Sequence, residues 1–166
     1  MIEFNAGVGN VRSGRKVSFG KFSSGKFMKY YFAGSIRAGR DDVPTYSRII
    51  KHLQKTGDVL TEHVGDYSLS IKGQTVFSDK FIHDRDLEWL KSCDYVVAET
   101  SNPSLGVGYE IAYALRWGIP VVALHKPERS SLSAMIGGAE GVEVIEYSDV
   151  DLALIELENV MARAET

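Results

Sequence analysis

Asp86 and Glu110 are acids in places where acids are out of keeping with their surroundings. At roughly 100° per residue, Ile82, Trp89, Leu90 and Cys93 of a helix running from about Lys80 to Ser92 gather on one side. Asp84, Glu88, Lys91 and Ser92 take the other side, and Asp86 lands in the middle of the apolar one. Glu110 lies one to two turns into a second helix whose other residues are nearly all apolar or aromatic. An acid on such a face must be paired, hydrogen-bonded or put to use, because burying it alone costs on the order of several kcal/mol. The alternative for Glu110 is a side chain that reaches solvent. Two carboxylates flanking a sugar, with a positively charged transition state between them, are what glycoside cleavage uses. One can attack or stabilise the anomeric carbon. The other can move a proton once burial or its partner raises its pKa. Tyr31, within a strand, can orient either through its hydroxyl, or is an ordinary core aromatic.

A second set of residues suits an anion. Ser104 stands before the helix that carries Gly106, Gly108 and Glu110, where it can cap free backbone amides. Such a junction attracts negative charge, because the unpaired amides and the helix dipole point the same way. Gly34-Ser35-Ile36-Arg37 follows the first strand, and His63 lies beyond the second. Lys126, Arg129 and Ser130-Ser131-Leu132-Ser133 lie beyond the fourth. Serine hydroxyls, free amides and an arginine fork grip phosphate. The GxxxxGK[ST] spacing is absent, which favours a monophosphate on a small molecule over a magnesium-bound triphosphate. Taken singly, each piece also reads as a turn glycine, a capping serine or a surface cation. No metal and no cofactor are expected: His52, His63, His83 and His125 are scattered and Cys93 is alone in an apolar stripe. Tyr109, Tyr113, Trp89 and Trp117 read as packing or subunit contact.

The elements that must position these groups alternate. Strands are predicted at 29–33, 59–61, 94–98, 121–124 and 142–145, and helices at 43–55, 80–92, 105–117, 132–136 and 150–162. Asp42 is the expected cap of the first helix and Gly57 its stop. Alternation of this kind predicts an α/β fold, a three-layer sandwich with a parallel sheet covered on both faces. Ligands then belong at the carboxyl ends of the strands, near a switch in strand order. The helix at 105–117 is apolar nearly all round, which calls for protein on both of its sides. Residues 1–27 are rich in Gly, Ser and Lys and read as a flexible or artificial extension, with 28–166 as one domain. A hairpin through Lys16–Lys26 is the minority reading. Residues 65–79 read as a loop over one end of the sheet.

At 166 residues the chain supports one sizeable core. A net charge of −3 and a pI near 5.8 give no basic surface for a nucleic-acid polymer. One cysteine excludes an intrachain disulfide framework and fits a reducing compartment. No apolar run is long enough to cross a bilayer and no secretory signal is evident, so no membrane partner is expected and the cytoplasm is the expected location.

Read together, Tyr31-Phe32-Ala33-Gly34-Ser35-Ile36-Arg37, Leu60-Thr61-Glu62-His63, Asp86-Leu87-Glu88-Trp89-Leu90, Pro103-Ser104-Leu105-Gly106-Val107-Gly108-Tyr109-Glu110 and Leu132-Ser133-Ala134-Met135-Ile136 resemble the 2′-deoxynucleoside 5′-phosphate N-hydrolases, relatives of the nucleoside 2-deoxyribosyltransferases. The resemblance implies a Rossmann-like fold with a five-stranded sheet. It also implies cleavage of the N-glycosidic bond of a deoxynucleoside monophosphate to free base and 2-deoxyribose 5-phosphate. Glu110 matches the nucleophile, Asp86 the acid–base residue and Tyr31 the tyrosine near the deoxyribose. Ser35, Arg37, Ser104 and the amides near Gly34 and Gly106 match the phosphate site; Ile36 is also expected to bind substrate, and His63 either faces the substrate or makes a structural hydrogen bond. Ser133 matches a phosphate ligand given by the other subunit of a homodimer. The rivals are a deoxyribosyltransferase, a CMP-type ribonucleotide N-hydrolase and a nucleotide-binding sensor without turnover.

Overall fold

The computed structural model describes residues 11–12, 27–36, 42–66 and 77–163. In chain order the elements are β1 (Val11–Arg12), β2 (Met28–Ala33), α1 (Val43–Leu53), β3 (Gly57–Val59), a 3-10 turn (Glu62–Gly65), α2 (Asp79–Ser92), β4 (Tyr95–Glu99), α3 (Leu105–Arg116), β5 (Val121–His125), α4 (Ala134–Gly137), β6 (Val142–Glu146) and α5 (Val150–Arg163). Strands order as β1-β6-β5-β4-β2-β3. The five from β2 onward are parallel, as the alternation of elements predicts. β1 adds a short antiparallel edge, pairing Val11 with Ile145 and Arg12 with Val144. It falls within the span read as an extension, where no strand pattern stood out.

Side chains alternate across each strand, so one sheet builds two cores. Tyr30, Phe32, Val97, Leu124 and Ile145 pack under α1 and α5, against Tyr46, Ile49, Leu154 and Leu157. Tyr31, Ala33, Val96, Ala98 and Ala123 point the other way, against Leu90 of α2 and Val107 and Ile111 of α3. With both faces covered, β4 and β5 are buried from end to end. That is why they read as continuous apolar runs. The chain steps from β2 outward to β3, then returns across β2 to β4 and onward. The order reverses between β2 and β4, so a crevice opens past the carboxyl ends of those two strands.

Two local expectations are corrected. Gly57 does not stop α1: the helix ends at Leu53, residues 54–56 turn, and Gly57 opens β3. There a Cβ would lie 2.2 Å from the Met28 carbonyl oxygen, so the strand pair closes only on a glycine. Asp42 is at the N-cap of α1 but its carboxylate caps nothing. Its backbone oxygen accepts from the Tyr46 amide at 2.9 Å, and its side chain goes to cations described below. The reading of 65–79 as a loop, and of a hairpin at 16–26, falls mostly or wholly outside the described residues.

Candidate active site

The site starts from the position of Tyr31 in the middle of β2. Its register partner on β4 is Val96, and its side chain, 1% exposed, enters the core beneath α2 and α3. On α3, Val107, Ile111 and Ala114 face the sheet. Glu110 stands on the shoulder of that stripe, three residues past Val107, and reaches Tyr31 rather than solvent. The Tyr31 hydroxyl donates to Glu110 Oε1 at 2.7 Å. Loss of hydration pushes the Glu110 carboxyl up to about 7, and the Asp86 charge adds to that rise. The Tyr31 hydrogen bond opposes it by favouring the ionised form. Burial and the Glu110 charge together hold the Tyr31 phenol well above its ordinary value, so it acts as a donor.

Asp86 projects from α2 and is paired. Arg85 Nε and Nη2 both donate to Asp86 Oδ1, at 2.9 and 2.7 Å. Both bonds fall on one oxygen, which leaves Oδ2 open among the described residues. Burying an acid on an apolar helix face is balanced here by a neighbouring cation that is itself clad in aromatics. The Arg85 guanidinium lies 4.5 Å from the Trp89 ring centre, 5.7 Å from Phe81 and 5.8 Å from Phe77. The sequence reading missed Arg85, although its signal was available: Phe81, Arg85 and Trp89 recur every four residues, so they line one side of the helix.

His63, in the 3-10 turn after β3, sits against the same group, its ring centre 5.9 Å from that of Trp89. Burial, followed by the Arg85 charge, pushes its imidazole down, while Asp86 pulls the other way. Tyr31, Glu110, Asp86 and His63, drawn from four elements, therefore share one electrostatic neighbourhood.

The expected anion groups are placed less uniformly. Gly34 is tight: a Cβ would meet the Phe32 ring at 2.9 Å and Val64 and Tyr46 at 3.1 and 3.2 Å, so the turn after β2 lies flat on the core. Ser35 is buried and Ile36 packs on the α1 side of the sheet. Arg37 lies outside the described residues. Ser104 caps α3, its Oγ accepting from the Val107 amide at 3.4 Å. A hydroxyl used as an acceptor keeps its proton to donate. An added Cβ on Gly106 would meet only Ser104 Oγ, at 3.8 Å, and one on Gly108 nothing within 4 Å, so the ground over this helix start is open. Ser133 caps α4, accepting from the Met135 amide at 3.3 Å, and is exposed. Lys126 and Arg129, grouped by sequence with the anion-gripping residues, are engaged elsewhere. Their nitrogens lie 3.7 and 3.4 Å from the buried carboxylate of Asp42, which needs their charge more than solvent does.

Among the described residues no group of three or more His, Cys, Asp and Glu gathers as a metal site. None of their helices is long and apolar enough to cross a membrane. A groove lined by Ser47, Lys51, Gln54, Glu62, His63 and Asp66 borders α1, and neither carboxylate of the pair is in its walls.

A family profile described as nucleoside 2-deoxyribosyltransferase matches residues 30–156. The 5-hydroxymethyl-dUMP N-hydrolase of Danio rerio is 47% identical over 135 residues, covering 81% of this chain and 93% of that protein. The mouse protein of the same name is 52% identical over 111 residues, 66% of this chain and 64% of its own length. The corresponding Esox lucius protein is 48% identical over 125 residues, 74% of this chain and 86% of that one. Among solved structures, Clostridium botulinum CMP N-glycosidase superposes with a TM-score of 0.58 at 20% identity, covering 79% of this chain and 98% of that one. A conserved protein from Enterococcus faecalis gives 0.55 at 23% identity, covering 81% and 99%. These two show the shared fold. On a profile match over most of its length and relatives near half identity, the chain belongs to the nucleoside 2-deoxyribosyltransferase family, on the branch of the 2′-deoxynucleoside 5′-phosphate N-hydrolases.

Proposed function

We propose a two-carboxylate route by which this enzyme hydrolyses the N-glycosidic bond of a 2′-deoxynucleoside 5′-monophosphate. The observation that carries it is the buried Glu110 carboxyl, held through one oxygen by Tyr31 and raised by the charge of Asp86. In its ionised form Glu110 uses Oε2 to attack C1′ as the bond to the base breaks and Asp86, carrying the proton of the pair, gives it to the leaving base. The glycosyl-enzyme is then opened by water, whose proton passes to Asp86 and whose hydroxyl ends on C1′. The products are free base and 2-deoxyribose 5-phosphate. Tyr31 fixes the Glu110 rotamer and favours its charged form. Without a 2′-hydroxyl the sugar cation forms more readily, and a ribose hydroxyl would crowd Tyr31 and the carboxylates.

The 5′-phosphate is assigned to the start of α3, under the Ser104 hydroxyl and the free amides near Gly106, with Gly34, Ser35, Ile36 and Arg37 alongside. Its binding orients the sugar and takes no part in the chemistry. Ser133 is assigned to the site of a second copy in a homodimer. Support for that assembly comes from apolar side chains left in water beside both serines: Leu105 is 96% exposed and Met135 85%. The cytoplasm is the proposed location.

Free base released from a panel of deoxynucleoside and ribonucleoside monophosphates tests the reading. E110A should release none, and unchanged release would remove Glu110 from the role. The family profile's description favours one second reading, transfer of the deoxyribosyl group to another base. Adding a labelled free base to the assay separates the two, since a transferase incorporates label faster than it liberates sugar phosphate.

A further inference from the structure

A third carboxylate, Glu99, ends β4 on the sheet face opposite Tyr31 and is fully buried, 0% exposed. No catalytic step above uses it. Its Oε1 accepts from the Ser101 amide at 3.3 Å, from the Ser101 hydroxyl and from the Tyr147 hydroxyl at 3.1 Å. Its Oε2 has no hydrogen-bond partner among the described residues. Burial pushes this carboxyl up, toward the neutral form that such a site tolerates.

What Glu99 holds is a junction between two loops. Ser101 Oγ also accepts from the Lys126 amide at 2.7 Å, and the Ser101 carbonyl accepts from the Ser130 hydroxyl at 3.0 Å. The Ser130 carbonyl is in turn 2.8 Å from His125 Nε2, whose Nδ1 is 3.3 Å from the Thr100 hydroxyl. Every polar group of Ser101 is thus engaged, and the residue is 2% exposed. One of the two loops runs three residues on from Ser101 to Ser104 and the start of α3. The other runs three residues on from Ser130 to Ser133.

We propose that Glu99 is a positioning residue for phosphate recognition, clamping through Ser101 the loops that carry Ser104 and Ser133. This rests on the assignment of those serines to the phosphate. Glu99 turns to the face of the sheet opposite Tyr31, so its effect is expected at the phosphate end of the substrate and not at the sugar. Hydrogen bonds to a buried group are worth most when their geometry is fixed, and a loosened loop forfeits contacts that rely on that geometry.

The test measures binding without turnover, in full-length E110Q, by calorimetry with dUMP, deoxyuridine and inorganic phosphate. Adding Glu99→Ala is expected to weaken dUMP and inorganic phosphate by about tenfold each, the equivalent of one lost hydrogen bond. Deoxyuridine affinity should be unchanged. Glu99→Gln should restore phosphate binding, because its carbonyl keeps the acceptor for Ser101 and Tyr147. Equal losses for all three ligands, or no loss for phosphate, would overturn the proposal. Should Glu99→Ala not fold, Ser101→Ala removes the hydroxyl junction with little change in volume and is read against the same outcomes. Failure of the catalytic reading shows separately, as absence of base release from the wild-type chain with phosphate-dependent binding intact.

Discussion

Replacing Glu110 by Gln should make the folded chain more stable, and increasingly so as pH rises. The carboxyl titrates near 4.5 when unfolded and at about 7 in the fold. Folding therefore favours its protonated form. Below the lower value that preference has its full effect, and it is lost as pH rises through the upper one. Integrating between the two, the raised Glu110 carboxyl lowers stability, relative to an uncharged group, by ~1 kcal/mol at pH 5 and by ~3 kcal/mol at pH 8. Gln keeps a carbonyl oxygen to accept from Tyr31 and carries no charge, so the E110Q advantage should grow by about 2 kcal/mol across that interval. For a chain of this size that corresponds to roughly 4–8 °C in Tm. Urea unfolding of both proteins at pH 5, 6, 7 and 8 reads the difference directly. Other groups that titrate, Glu99 and His63 among them, are common to both chains and cancel. A stability difference that stays flat with pH would refute a desolvated Glu110, even if the variant were inactive.

Tyr31→Phe removes the hydrogen bond that favours ionised Glu110, so the acidic limb of kcat/KM should move to higher pH, with a loss of about tenfold at pH 6. Asp86→Asn removes the charge that raises Glu110, so the same limb should move to lower pH while the rate at the optimum falls; a limb that stays fixed in both variants would separate it from Glu110. Leu90→Ala, at a side chain with 0% exposure between α2 and the sheet, should destabilise by about 2–5 kcal/mol in urea. Gly57→Ala puts a Cβ 2.2 Å from the Met28 carbonyl. It should destabilise by about 1–3 kcal/mol or more, and a neutral result would contradict the close pairing of β2 and β3.

The parallel sheet was legible because burial on both faces leaves an unmistakable mark: Val96-Val97-Ala98 and Val121-Val122-Ala123-Leu124 have no polar face to offer. Asp86 was legible for a related reason, since helical periodicity exposes an acid that breaks an apolar stripe. What periodicity does not contain is partner choice. Asp42 sits where capping residues sit, yet its carboxylate goes to Lys126 and Arg129, more than eighty residues away. Glu99 closes an apolar strand and reads as the first polar residue of a turn, whereas the fold buries it against Ser101 and Tyr147. Arg85 is harder to read, because an arginine beside an aspartate on a helix has the pattern of solvated charge. The four-residue spacing of Phe81, Arg85 and Trp89 is its signal in the sequence, and in the fold those rings and Phe77 surround it. The two-residue β1 is too short to carry a pattern at all.

The bond from Tyr31 to Glu110 joins residues 79 positions apart, across two helices and the central strand pair. Nothing local can assemble it: β4 must already be zipped beside β2 before α3 can settle over the tyrosine. Regained base release during refolding would therefore serve as a clock for completion of the middle of the sheet, trailing any signal from the helices themselves. Chains stalled with intact helices but an unformed β2–β4 pair would look folded by circular dichroism and remain catalytically silent.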